Sequence, residues 1–146
     1  MSRLRRYFKP GDMVFITFVT VNRAPILVGA MDEFRKALEY ARRRYGFEVI
    51  AACVMPEHVH LILDSKGGAI PDIVKCIKTK FSGMYRSYRG MRSGRVWQHR
   101  YWDRIIRNQQ EMNQYIDYIY YNPVHHGLVD HPREYPYSSY SRFVEA

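Results

Sequence analysis

The sequence predicts a single α+β domain over residues 1–146, in which four strands and two helices follow one another as β-α-β-β-α-β and a further helix is added at the C-terminal end. Three observations predict it. Four runs are rich in β-branched and aromatic residues, other segments place apolar residues three and four apart, and glycines and prolines fall between these segments. The length also suits one hydrophobic core and is short for two.

Met13 to Val21 reads as the first strand and is followed by an Asn22-Arg23-Ala24-Pro25 loop. Asp32 opens a helix in which Phe34, Ala37, Leu38, Ala41 and Tyr45 form one apolar face, and Gly46 ends it. Phe47 to Met55 and Val59 to Leu63 are two strand-like runs separated by Pro56-Glu57, the pattern of a hairpin. Pro71 is placed where a first helical turn tolerates it, and Ile73, Val74, Ile77, Phe81, Met84, Tyr85 and Tyr88 mark the apolar face that follows. Lys75, Lys78, Lys80, Arg86 and Arg89 occupy much of the rest of that helix. Val96 to Ile106 reads as the fourth strand, and the spacing predicts a last helix from about Gln109 to Tyr121, stopped by Asn122-Pro123.

This order is the split β-α-β, or ferredoxin-like, plan: an antiparallel four-stranded sheet with helices on one face and the other face open. The plan serves many unrelated activities, so function has to be argued from the site.

The composition, 47% hydrophobic and 25% charged, is that of a folded soluble chain. No stretch approaches the roughly 18 apolar residues of a membrane span, so a membrane role is not expected. The basic start, Ser2-Arg3-Leu4-Arg5-Arg6, precedes an apolar run that resembles a signal peptide. That run is β-branched and no small-residue cleavage site follows it, so it reads as a strand and cytoplasmic location is expected. Cys53 and Cys76 are too few for a disulfide framework and lack zinc-site spacing; they read as core fillers. A total of 23 Lys and Arg against 14 Asp and Glu gives a net charge of +9, which favours a polyanionic partner. Among the 13 tyrosines, 7 phenylalanines and 2 tryptophans, rings left outside the core offer stacking surfaces for unpaired bases.

Two clusters carry chemistry. In Glu57-His58-Val59-His60-Leu61, alternation sends Val59 and Leu61 to one face of the strand and both histidines to the other. Two imidazoles side by side on a rigid strand suit a shared metal ion. Glu57, by the same alternation, points away from them. In the last helix, Met112, Ile116 and Ile119 face the core, whereas Tyr115, Tyr118 and Asn122 share another face at about 100° per residue. On the residues alone, Tyr118 reads either as a presented phenol or as a half-buried packing ring, and Asn122 either as a presented amide or as a helix C-cap. His125, His126 and His131 lie in or after the following turn and read as phosphate contacts or solvated side chains.

Taken together, these segments resemble the single-tyrosine HUH transposases, most closely the REP-associated tyrosine transposases among the IS200-like families. The resemblance runs from about Gly11 to Phe143. It is carried by Met55-Pro56-Glu57-His58-Val59-His60, by Val96-Trp97-Gln98 through Ile106-Arg107, by Tyr118-Ile119-Tyr120-Tyr121-Asn122-Pro123-Val124, and by the closing Pro136-Tyr137-Ser138-Ser139-Tyr140. One departure is Arg104, where a histidine is common after the aspartate.

The resemblance implies a ferredoxin-like fold, Tyr118 as nucleophile, His58 and His60 as metal ligands, and Asn122 as the third ligand. It implies Mg²⁺ or Mn²⁺ as the ion and single-stranded DNA with a hairpin as the partner. It leaves open whether the protein acts as a monomer or a homodimer. The expected reaction joins a 5′-phosphate to the tyrosine and frees a 3′-hydroxyl. Arg3, Arg5, Arg6, Lys75, Lys78, Lys80, Arg86 and Arg89 are the candidates for holding the DNA backbone. A silent nucleic-acid-binding sheet is the rival reading, although the Gly-Phe-Gly-Phe spacing of RNA-binding strands is absent.

Overall fold

The computed structural model describes residues 10–141. Strands β1 (Met13–Thr20), β2 (Glu48–Val54), β3 (His58–Asp64) and β4 (Trp97–Ile105) form one sheet in the order β2-β3-β1-β4, with every neighbouring pair antiparallel. Helices α1 (Met31–Tyr45) and α2 (Ile70–Tyr88) pack on one face, and α3 (Gln109–His125) packs on the other. The expected split β-α-β plan is thus present, with strand bounds within a residue or two of those the periodicity indicates.

Alternation explains the two faces. Ile16 and Phe18 of β1 and Val59, Leu61 and Leu63 of β3 point into the helical layer, where they meet Phe34, Ala37 and Ala41 of α1 and Ile73, Val74, Ile77 and Phe81 of α2. Phe18, Phe34, Phe81 and Trp97 interlock through tilted and edge-to-face contacts 5.1–6.5 Å between centroids. Burying each such ring removes apolar surface worth about 1.5–3 kcal/mol. Gly46, at φ 77°, closes α1 in the left-handed conformation that glycine alone adopts without a steric penalty. Tyr88, which the periodicity places on the apolar face of α2, stands 62% exposed near the helix end, beyond the reach of the sheet.

The second sheet face is left open only on its β4 side. Met13, Cys53 and Ile62 pack against Met112, Ile116, Ile119 and Tyr120 of α3, so this helix covers β2 and β3. The C-terminal segment lies along β2: Val54 N–H donates to the Tyr137 carbonyl, Ser139 N–H to the Ala52 carbonyl, and the Tyr135 hydroxyl to the Val54 carbonyl. This covers the β2 edge, which would otherwise present unpaired backbone groups.

α3 corrects the expected stop at Asn122-Pro123. It runs through Pro123 to His125. Proline in the last turn forfeits one backbone hydrogen bond, and here Asn122 and Pro123 are both buried, which offsets that loss. The helix ends instead at Gly127 (φ 75°), where Leu128 N–H bonds the Pro123 carbonyl and Gly127 N–H the Val124 carbonyl, a Schellman arrangement. Asn122 is therefore an interior helical residue, not a C-cap.

Candidate active site

α3 runs antiparallel to β3 across the sheet face, and the two repeats nearly match. One helical turn advances about 5.4 Å, and two strand residues advance roughly 6.7 Å. Tyr118 therefore faces His60, with ring centroids 5.2 Å apart, and Asn122, one turn on, faces His58, with Oδ1 3.1 Å from Nε2. His58 and His60 themselves lie 4.6 Å apart, edge to face. The four residues that the sequence singles out thus meet in one cluster.

Each imidazole is held from behind. Thr17 Oγ1 lies 2.7 Å from His60 Nδ1, because Thr17 is the direct cross-strand partner of His60. With the proton on Nδ1, the ring presents an Nε2 lone pair, and this buried nitrogen has no partner. Behind His58 stands Glu57, with Oε2 3.3 Å from Nδ1, close enough for electrostatic contact but not for an aligned hydrogen bond. Glu57 lies in the hairpin turn, where strand alternation does not apply, so it reaches the histidine that the sequence pattern turns it away from. It also meets Arg23 at 3.2 Å. Burial works against its charge, yet His58 and Arg23 hold its carboxyl below the usual carboxylate range.

Both histidines are neutral near pH 7. Burial, with the neighbouring His58 and His126, pushes the His60 imidazole down to about 3. Burial also lowers His58, against the opposing pull of Asn122 and Glu57. Neutral imidazole is the metal-binding form. His58 Nε2 donates to the Asn122 oxygen in one tautomer; in the other, with the proton on Nδ1 beside Glu57, the two atoms face each other as acceptors, and this second form is the one that suits a shared cation. Together with the partnerless His60 Nε2, this donor set fits a divalent ion. Among the described residues, no group of three or more His, Cys, Asp or Glu side chains is placed to hold a metal, and the oxygen nearest His58 Nε2 is that of the Asn122 amide.

The neighbouring tyrosines are occupied differently. Tyr115 stacks on Phe15 at 4.6 Å, and the buried Tyr120 hydroxyl is 2.8 Å from Ser139 Oγ. Tyr121 is 41% exposed and lies beside His125 rather than His60. Tyr118 is 47% exposed and faces the histidines. His126 sits 5.8 Å from His58, ring to ring, eight residues after Tyr118 and four after Asn122. The sequence shows that spacing, but the expected helix stop at Asn122-Pro123 removes His126 from the series.

The basic residues of α2 do not gather here, because α2 lies across the sheet from the site. Lys78 is half-buried: Nζ donates to the Gln98 and Arg100 carbonyls of β4 at 2.9 and 3.4 Å, and burial lowers its pKa. Arg89 pairs with the buried Glu33 at 2.8 Å and lies over the Tyr85 ring. Arg86 donates to the Gly94 carbonyl. Lys75 and Lys80 are exposed, with Lys80 Nζ 4.4 Å from the Tyr40 ring centroid. Arg3, Arg5 and Arg6 lie outside the described residues.

Residues 13–122 match the family model described as "Transposase IS200 like". The whole chain is 34% identical to a provisionally named REP-associated tyrosine transposase of Haemophilus influenzae, covering 89% of it. It is 32% identical to the REP-associated tyrosine transposase of Escherichia coli K12, with 99% of this chain and 86% of that protein aligned. A solved structure of a REP-associated tyrosine transposase bound to a REP hairpin superimposes with a TM-score of 0.82 at 32% identity, over 99% of this chain and 86% of that one. No helix among the described residues is long and apolar enough to cross a membrane.

Proposed function

Because the chain belongs to the IS200-like transposase family, we propose that it cuts and rejoins single-stranded DNA through a covalent link between Tyr118 and a 5′-phosphate. The observation that carries this reading is the match of α3 to β3, which sets an exposed phenol over one neutral imidazole and a buried amide over the other.

His58 Nε2, His60 Nε2 and Asn122 Oδ1 would hold Mg²⁺ or Mn²⁺, ions that accept imidazole together with amide and phosphate oxygens. When bound, the ion supplies Lewis-acid polarisation of the phosphate and stabilises its developing charge. Thr17 and Glu57 orient the two imidazoles and keep their lone pairs turned inward. The Tyr118 oxygen attacks phosphorus in line. Its O–P bond forms as the bond from phosphorus to the 3′-oxygen breaks; the phenolic proton passes to solvent, and the leaving oxygen takes one up as a 3′-hydroxyl. Attack by a 3′-hydroxyl on the phosphotyrosine reverses the step, so no nucleotide cofactor is required. Phe15 packs beneath Tyr118, 6.0 Å between centroids, and limits the swing of the ring.

The solved relative is bound to a REP hairpin, which supports a hairpin-bearing single strand as the partner here. Of the cations expected to hold its backbone, Lys75 and Lys80 are exposed, whereas Lys78 and Arg89 are engaged within the fold; Arg3, Arg5 and Arg6 remain candidates from the sequence. Incubation with a single-stranded hairpin oligonucleotide and Mn²⁺ should give a protein–DNA adduct that survives a denaturing gel and disappears with chelator. Tight binding without an adduct at any metal concentration would instead identify a silent DNA-binding member of the family.

A further inference from the structure

The sheet face that carries the histidines continues beyond α3. Thr17 is the cross-strand partner of His60 on one side and of Trp102 on the other, so His60, Thr17 and Trp102 form a row across β3, β1 and β4. Directly opposed residues in antiparallel strands point to the same face, and the Thr17 hydroxyl meets His60, so the Trp102 indole points to the face of the active site. Two strand spacings place it about 10 Å along the sheet from His60.

The two tryptophans of β4 have opposite fates. Trp97 is 5% exposed in the helical-layer core, whereas Trp102 is 54% exposed, because α3 covers β2 and β3 and leaves the β4 side bare. Arg104 is opposite Phe15, hence on the same face as Trp102, and is exposed; Arg100, two residues before Trp102, is exposed as well. The nearby acid Glu111 is already bonded to Arg107. An open indole flanked by arginines, continuous with a phosphate-cutting site, suits an unpaired nucleotide: the base stacks on the ring and the backbone meets the guanidinium groups.

We propose that Trp102 is a stacking platform for an unpaired base flanking the phosphate that Tyr118 attacks, with Arg104 holding the adjoining backbone phosphate. This rests on the single-strand-cutting reading above, but its test does not require cutting. With chelator present, titrating a single-stranded hairpin oligonucleotide should quench the emission of Trp102, the exposed member of the two tryptophans. Trp102→Leu should abolish the quenching and weaken binding roughly 5- to 100-fold, and Trp102→Phe should recover most of the affinity. Replacing the flanking nucleotides one at a time by an abasic unit should reproduce the loss at one position in wild type and have no effect at that position in Trp102→Leu. Unquenched emission, or equal affinity of wild type and a Trp102→Leu protein that melts normally, would overturn the platform while leaving the cutting activity intact. Quenching of this kind, with no covalent adduct when Mn²⁺ replaces the chelator, would overturn the cutting activity and leave the platform standing.

Discussion

The rings of His60 and Tyr118 meet edge to face, 5.2 Å between centroids, from a strand and a helix that α2 and β4 separate along the chain. Their meeting follows from α3 crossing the sheet face antiparallel to β3, so that each turn of one answers two residues of the other. Asn122 and His58 repeat the contact one step along. The proposed metal ligands and nucleophile thereby stand on two regular elements, which fixes their geometry more tightly than loops would.

His58→Ala and His60→Ala should each abolish adduct formation while preserving most DNA affinity, which phosphate contacts supply. Gel shift and denaturing gel on the same samples separate the two effects. Wild-type cleavage that survives chelator would contradict the metal-dependent account.

The orienting partners should matter less than the ligands but in the same direction. Thr17→Val and Glu57→Gln remove the groups behind His60 and His58, and each should weaken Mn²⁺ affinity about 10- to 100-fold. Calorimetric Mn²⁺ titration of the folded variants reads this directly. Affinities equal to wild type would show that the imidazoles are oriented by packing alone.

On the far side of the sheet, Glu33 is buried and bonded to Arg89 at 2.8 Å. Arg89 is about one-third exposed, so removing it in Arg89→Met should cost about 1–3 kcal/mol in urea unfolding, at the lower end of what losing a buried partner costs. Burial opposes the Glu33 charge, but Arg89 holds its carboxyl below the ordinary 4.5. A carboxylate with a depressed folded pKa stabilises above its unfolded pKa, and that stability is lost as pH falls through the folded value. The gap between wild type and Arg89→Met should therefore narrow as pH drops below the ordinary carboxylate range. A gap unchanged from pH 7 to strongly acidic pH would assign the effect to packing.

Much of this is legible in the chain itself, where the cause is local. Alternation around Val59 and Leu61 sends His58 and His60 to one face, and helical periodicity does the same for Tyr118 and Asn122. What stayed hidden depends on long-range pairing. Thr17 becomes a partner of His60 only through the β1–β3 register, although a hydroxyl on the face opposite Ile16 and Phe18 is a signal in retrospect. Lys78 looks like its cationic neighbours on α2 until the carbonyls of β4 are placed beneath it. Asn122-Pro123 reads as a stop because proline breaks helix interiors, yet in a last turn buried against the sheet it costs one hydrogen bond, and the helix continues far enough to bring His126 to the site.

In the proposed mechanism Tyr118 is the residue joined to DNA. Mass-spectrometric peptide mapping of the adduct formed with a single-stranded hairpin oligonucleotide and Mn²⁺ identifies that residue. The modified residue should be Tyr118, and Tyr118→Phe should give no adduct while melting like wild type, whereas Tyr115→Phe should retain it. DNA found on Tyr115, Tyr120 or Tyr121 would contradict the assignment, and with it the role given to Asn122.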